Sequence, residues 1–470
     1  MKEKFKSFVL VVLVVLNLIL GSQVLSTEKL WSGDGYNFFV SRTNNPITSF
    51  LRKIKTNIKG KSPSKTQLEA PELIIINTGD QTSRNVITNA DSGFYDIIET
   101  TNEFLRSAFS SSKQYTQVST DDFYSALTSK SVLLSYSTEY DSGLFAHLLG
   151  ATKTDYSGIF HQLKNIVISS DGYVYVEDSL TDIIYCCYTD IQTTALNDII
   201  DIYASQEKSD NLVINYAFDL GFDKSFATQK TVLSPMIPIY SDSFEVEAVS
   251  VNGTIVNNGI FDESVIPELL PIFNMNPNSF RRYTEVDGTL VFVENNATLK
   301  ISPKGFLEYN AKDNGISLST TNTSSYDTVA TVADFVDKIN IAVGSDNSMV
   351  LTSKLTEAEL SQSNFNITLD YLANGRRVII KPDNIEPAVT AVVTNNRLTH
   401  YKQYMRRYTV TSERSLVDNY IFALDDSIAK FQNQINDIEI SDLDIAYEDD
   451  FNNETIHPQW NVAVKEIIIS

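Results

Sequence analysis

The stretches "TLKISPKGFLEY" (Thr298–Tyr309) and "TAVVTNNRLTHY" (Thr390–Tyr401) align without a gap: Thr298 with Thr390, Ile301 with Val393, Phe306 with Leu398, Tyr309 with Tyr401. Each is read as one strand-like stretch, after a helical segment and two strands in the first unit and three in the second. In the first unit these are "ESVIPELLPIF", "RRYTEV" and "TLVFVEN". In the second, "SSYDTVATVADFVDKIN" is followed by "SMVLTSKL", "FNITLDYL" and "RRVIIK". Asp-Gly precedes a strand of the first unit and Asn-Gly one of the second. A 3.6-residue apolar period giving way to alternation, twice over, predicts a duplicated unit of one helix on an antiparallel sheet. Such a unit hides one sheet face and leaves the other, which suits a scaffold, a binding surface or an inhibitor and does not by itself imply catalysis.

Downstream, "SLVDNYIFALDDSIAKFQ" predicts a third helix, and "DLDIAYED" and "WNVAVKEIII" predict strands. Upstream, the two prolines of "SPMIPIY" mark a boundary near residues 234–240. Before it, Phe94, Ile97, Ile98, Phe104, Leu105 and Phe109 fall on one helical face, "NIVISSDGYVYVEDS" alternates across an Asp-Gly turn as a hairpin, and "ALNDIIDIYASQ" reads as a helix. The fold class is therefore α+β. The expected architecture is a single N-terminal transmembrane helix followed by extracytoplasmic domains, the last two of the repeated helix-plus-antiparallel-sheet type. The expected boundaries are a cytoplasmic tail at 1–6, an anchor at 7–26, a juxtamembrane segment and basic linker at 27–69, an N-terminal α+β domain at 70–235, a middle domain at 236–325 and a C-terminal domain at 326–470.

The anchor rests on "FVLVVLVVLNLIL" and its extension to Leu25. Phe8 to Leu25 would span about 27 Å as a helix, close to the hydrocarbon thickness of a bilayer. Lys2, Lys4 and Lys6 precede it with only Glu3 opposing, so the positive-inside bias leaves the N-terminus in the cytoplasm and the bulk of the chain outside. A cleaved signal peptide is the alternative. "EKLWSGDGYNFF" follows at once. Trp31, Tyr36 and Phe38 are read as a juxtamembrane interface, since amphipathic rings favour the membrane–water boundary; they equally suit the start of the first folded element.

Charge is unevenly spread. Residues 1–65 carry eleven Lys and Arg against three acids, while the remainder carries 26 against 56, a net −30. A body that acidic repels nucleic-acid phosphates, so nucleic acid is excluded as a partner. Six of the eleven early cations lie in "SFLRKIKTNIKGKSPSK" (Ser49–Lys65), a solvated linker or a segment lying on anionic lipid or wall polymer.

The chemistry-bearing motifs are sparse. His147, His161, His400 and His457 show no HExxH or HxH spacing, and no metal or cofactor is expected. No GxSxG, Walker A or GxGxxG is present. The S-x-x-K matches, such as "SPSK" and "SIAK", lack the accompanying Lys-Thr-Gly of wall transpeptidases. The carboxylate run "DLDIAYEDD" alternates like a strand edge and is read as a solvated face. The adjacent Cys186 and Cys187 are read as two small half-buried strand residues, because neighbours join in a disulfide only with strain. The chain reads as non-enzymatic, with no catalytic residues.

With these features in hand, the chain resembles the YycH family. The resemblance rests on the anchor leading into "EKLWSGDGYNFF", on "VLLSYSTEYDSGLFAHLLG" and "SPMIPIYSDS", and on "NGRRVII", "TNNRLTHYKQYMRRY" and "HPQWNVAV". It implies a single-pass protein of Gram-positive bacteria with a three-part outer region whose last two parts share a topology. It further implies association with a YycI-like single-pass protein and with a YycG/WalK-like sensor histidine kinase, largely through transmembrane helices, with an effect on cell-wall metabolism. For that contact the expected stripe is Leu13, Leu16, Asn17 and Leu20, at i, i+3, i+4 and i+7. The Lys/Arg-rich stretch and the cysteine pair are not family features. An exported binding module for a cell-wall polymer or peptide is the alternative function.

Overall fold

Seven strands form the first layer of the computed structural model, which describes residues 66–466 apart from 81–82, 111–113, 152–158, 206–212, 224–229, 258–259, 277, 295, 313–314, 319–323 and 432–436. They are β1 (Leu73–Thr78), β2 (Arg84–Ile87), β3 (Thr116–Val118), β4 (Lys130–Asp141), β5 (Gln162–Ser169), β6 (Tyr173–Asp178) and β7 (Ile183–Tyr188), in the spatial order β2-β1-β4-β5-β6-β7-β3. Period-two alternation sends Ile74, Ile76, Val132, Leu134, Ile166 and Ile168 to one face, where α1 (Phe94–Ala108), α3 (Ser142–Leu148) and α4 (Thr194–Ser205) bury them. Ile75, Leu133 and Val167 turn to the other face, beneath Phe123 and Leu127 of α2 (Thr120–Thr128). The start of α2 is fixed by a reciprocal cap: the Ser119 hydroxyl accepts from the Asp122 N–H while the Asp122 carboxylate accepts from the Ser119 N–H.

The chain then crosses to a second layer through β8 (Ile214–Tyr216), β9 (Lys230–Leu233) and β10 (Pro238–Tyr240). β8 and β10 pair with each other, and β9 joins the large sheet. β11 (Phe244–Gly253) belongs to a small three-stranded sheet, and β12 (Val256–Asn257) and β13 (Ile260–Phe261) form a short ladder. The first helix-plus-sheet unit comprises α5 (Ile266–Ile272), β14 (Arg281–Thr284), β15 (Leu290–Glu294), β16 (Ala297–Ile301) and β17 (Phe306–Ala311). The second comprises α6 (Ser325–Ala342), β18 (Ser348–Leu351), α7 (Glu357–Gln362), β19 (Asn364–Ala373), β20 (Arg376–Ile380), β21 (Val389–Thr394) and β22 (Arg397–Tyr404). β23 (Arg406–Val417), α8 (Tyr420–Phe431), β24 (Asp437–Asp449), β25 (Thr455–Ile456) and β26 (Pro458–Glu466) complete the mixed α+β fold. The large sheet has twelve strands, ten of them in the order β14-β15-β16-β17-β22-β21-β19-β20-β24-β26, with β18 on β19 and β9 on β24.

Each of the two aligned stretches is a hairpin, where a single strand was expected. Gly305, at φ 80°, closes the first. Asn395 and Asn396, at φ 52° and 56°, close the second, the left-handed pair that a tight two-residue hairpin requires. The first hairpin spends three residues on its turn, with Ser302 and Phe306 closing it. The second spends two and carries a bulge between Val392 and Val393. One residue has moved from turn to bulge, which is why the two stretches align without a gap.

The units meet edge to edge through β17 and β22, and the register places Tyr309 opposite Tyr401, Glu308 opposite Lys402 and Asn310 opposite His400. Equivalent tyrosines therefore face each other at a local two-fold. Phe273, just past α5, stacks on Tyr309 at 5.2 Å, and Phe335 of α6 meets Tyr401 edge-on at 5.3 Å. The fully buried Tyr401 hydroxyl donates to Gln403 Oε1 at 2.6 Å, and the Gln403 amide donates to Asn340 Oδ1 at 2.8 Å and to the Tyr371 hydroxyl at 2.9 Å. A buried polar group left alone costs several kcal/mol, roughly, so this closed set fixes one register.

A continuous apolar core runs from Leu68 to Ile456. The described residues form one compact unit. Within it the chain is pinned early: buried Thr66 donates its hydroxyl to Asp337 of α6 at 2.6 Å.

Candidate functional site

The main cleft among the described residues, about 90 Å³, opens where the N-terminal sheet meets β24 and the β19–β20 hairpin. Its walls are Glu72 and Leu73 at the start of β1, Lys164 and Asn165 of β5, the segment 234–240, Gly375 and Arg376 of the hairpin, and Ser441 to Ile445 of β24. The proline-marked segment thus passes through the joint, with Met236 packed toward the N-terminal sheet and Ile237 toward β24.

Gly375 makes this joint close. At φ 70° it forms the hairpin tip with Asn374, and a β-carbon there would lie 2.0 Å from Thr88 Oγ1 and 2.5 Å from Thr88 Cβ. Only a residue without a side chain lets the hairpin reach the loop after β2.

Alternation along β24 puts Asp442 and Asp444 on one face, toward the cleft. Lys164 Nζ donates to Asp442 Oδ2 at 3.2 Å, and Asn461 Nδ2 donates to Asp444 Oδ1 at 2.7 Å. Burial pushes the Glu72 carboxyl well above its ordinary range; Arg377 opposes this, while Asp444 and Asp442 add to it. Asp444 is raised for the same leading reason, burial, and then by Asp442. Asp370, beside Arg377, is also raised by burial. One strand away, burial and then Asp182 push Glu177 up to about 7. Burial works against the Lys164 charge, but Asp442 and Glu72 outweigh it and leave its pKa raised. The site is a half-buried set of carboxylates sharing too few cations, so it holds protons near neutrality.

Its charged lining makes it a protonation-dependent joint between two layers.

The carboxylate run read as a solvated face is not one. Besides Asp442 and Asp444, fully buried Asp449 accepts two hydrogen bonds from Arg406, both 2.8 Å, and one from the Tyr408 hydroxyl at 2.8 Å. The signal that points to this is the pair of doublets Arg376–Arg377 and Arg406–Arg407, cations at the starts of β20 and β23. Cys186 and Cys187 lie on opposite faces of β7, the first half-buried and the second buried. Among the described residues no group of three His, Cys, Asp or Glu is placed to hold a metal ion.

Leu13, Leu16, Asn17 and Leu20 of the expected transmembrane stripe, and Trp31, Tyr36 and Phe38 of the expected juxtamembrane interface, lie outside the described residues, as does the whole of the basic stretch 49–65. Among the described residues no helix is long and apolar enough to cross a membrane.

No protein-family model and no curated protein matches the sequence. The structure, however, matches the crystal structure of YycH from Bacillus subtilis with a TM-score of 0.54 at 10% identity, over 86% of this chain and 97% of that one. At that identity the likeness is one of fold. The chain has a YycH-like fold.

Proposed function

We propose that this protein is a membrane-anchored, non-enzymatic regulator of a two-component sensor histidine kinase controlling cell-wall metabolism. The observation that carries the reading is the YycH-like fold over 86% of the chain. The apolar, Lys-flanked segment at 8–25 supports a single-pass anchor with the N-terminus in the cytoplasm and the bulk outside. The partners are a YycG/WalK-like kinase and a YycI-like single-pass protein, met in the bilayer through Leu13, Leu16, Asn17 and Leu20 and at the membrane surface through Trp31, Tyr36 and Phe38. Residues 70–235, 236–325 and 326–470 are the three parts of the outer region. A continuous core favours a scaffold that presents surfaces to partners.

Regulation requires unequal binding to two kinase states, since equal affinity shifts nothing. The test replaces residues 8–25 with an unrelated membrane span and reads a kinase-controlled promoter in the native cell. The reading expects the regulatory effect to disappear while the protein remains in the membrane; unchanged signalling would remove the transmembrane contact from the account.

A further inference from the structure

The outer end of the N-terminal sheet carries two exposed tyrosines beside a third that packs on the core. Tyr173 of β6 and Tyr188 of β7 are directly opposite in register, 38% and 52% exposed, with ring centroids 5.3 Å apart. Tyr175, half-buried, follows on the same face with its centroid 6.4 Å from that of Tyr173. A β-carbon on Gly172 would lie 3.5 Å from Tyr188 Cε2, so the Tyr188 ring sits against the β5–β6 turn that bears the exposed Asp171.

The surroundings are predominantly acidic, and Lys130, beside Ser170, is paired to Asp201. From Asn165 to Ser205 the chain has no Lys or Arg and seven acids, and residues 114–129, which include β3 and α2, have no Lys or Arg either. Asp171 and Asp122 act electrostatically on Tyr175, and Asp121 acts on the neighbouring Tyr124. Aromatic faces attract cations through their quadrupole, and carboxylates around them add a field of the same preference. A neutral glycan could stack on the rings but would gain nothing from the carboxylates; an anionic polymer would be repelled.

We infer that Tyr173 and Tyr188, with Tyr175 beside them and Asp171 and Asp122 around them, form a docking surface for a Lys- or Arg-bearing segment of a partner protein. The cation sits over the paired rings and the acids set its affinity for basic sequences. This surface lies outside the transmembrane contact proposed above and stands independently of it.

The test uses the full-length protein in detergent micelles and a fluorescein-labelled Lys/Arg decapeptide, read by anisotropy at low and moderate salt. An acidic body attracts such a peptide diffusely, so variants decide the outcome. Tyr173→Ala/Tyr188→Ala should bind about five- to thirtyfold more weakly, the scale of two exposed cation–π contacts. Tyr173→Phe/Tyr188→Phe, which keeps both rings, should stay within about twofold on the same argument. Asp171→Asn should weaken binding and flatten its salt dependence. Equal binding by the Ala double variant, or a loss in the Phe variant matching that in the Ala variant, would overturn the inference. So would salt-independent binding of neutral chitin tetrasaccharide that displaces the peptide, which would make the face a glycan surface. The rings are exposed, so unchanged melting of the variants separates a binding loss from unfolding.

Discussion

Gly375→Ala tests the joint between the layers directly. An alanine at φ 70° carries a conformational cost of about 1–2 kcal/mol. Its methyl must also displace Thr88, whose Oγ1 and Cβ would lie at 2.0 and 2.5 Å, with Ala90 Cβ at 3.2 Å. Forced overlap of this kind costs a further 1–3 kcal/mol, roughly. The expected loss is therefore about 2–5 kcal/mol, read as a drop in urea midpoint of the full-length protein at constant slope. Gly344→Ala is the matched control: its φ is 67°, yet nothing lies within 4 Å of the added carbon, so only the conformational cost of about 1–2 kcal/mol applies. Thr88→Gly combined with Gly375→Ala removes both clashing atoms, and the pair should be less destabilised than the sum of its parts by about 1 kcal/mol or more. Equal losses at 375 and 344, with additive behaviour at 88 and 375, would refute the close approach of the hairpin to the N-terminal layer.

Two further outcomes follow from the buried charges. Asp449→Ala strands Arg406, itself only 14% exposed, and should cost about 3–5 kcal/mol in urea unfolding; a loss below about 1 kcal/mol would mean the pair is not desolvated. Glu177, raised to about 7 chiefly by burial, binds more protons folded than unfolded between the ordinary glutamate range and that value. Its contribution to stability is thus present at pH 5 and lost as pH rises through about 7. Raised Glu72 and Asp444 act in the same direction. Urea midpoints at pH 5 and pH 8 should differ less in Glu177→Gln than in the parent; an unchanged difference would assign the pH dependence to the general self-repulsion of the acidic body.

Local signals made much of the fold legible. The Asp-Gly hairpin at 165–179, the apolar face of α1 and the doubled helix-then-strands pattern correspond to elements of the structure, because period and turn chemistry act within a few residues. The two aligned stretches were read one level too simply. Alternation passes through a tight Asn-Asn turn without a visible break, and only the positive φ of both residues separates strand from hairpin. The cleft was hidden for a different reason. Asp442 and Asp444 alternate with Leu443 and Ile445 as any half-exposed strand would, and the layer that covers them comes from residues some 200 to 370 positions earlier. Periodicity reports that a strand has a polar face, not whether water or Lys164 and Glu72 lie against it. The pairing of Tyr309 with Tyr401 is intermediate: the alignment exposed the equivalence, while the edge-to-edge meeting needed the sheet.

The account stands or falls on the partner. The most direct measurement is crosslinking within the membranes of the native cell, from a photoreactive residue placed at Asn17 of the full-length protein, with the joined peptides identified by mass spectrometry. The account predicts crosslinks to the membrane-spanning segments of a sensor histidine kinase and of a small single-pass protein. Crosslinks confined to cell-wall enzymes or wall fragments would contradict it and leave the YycH-like fold as a likeness of architecture alone.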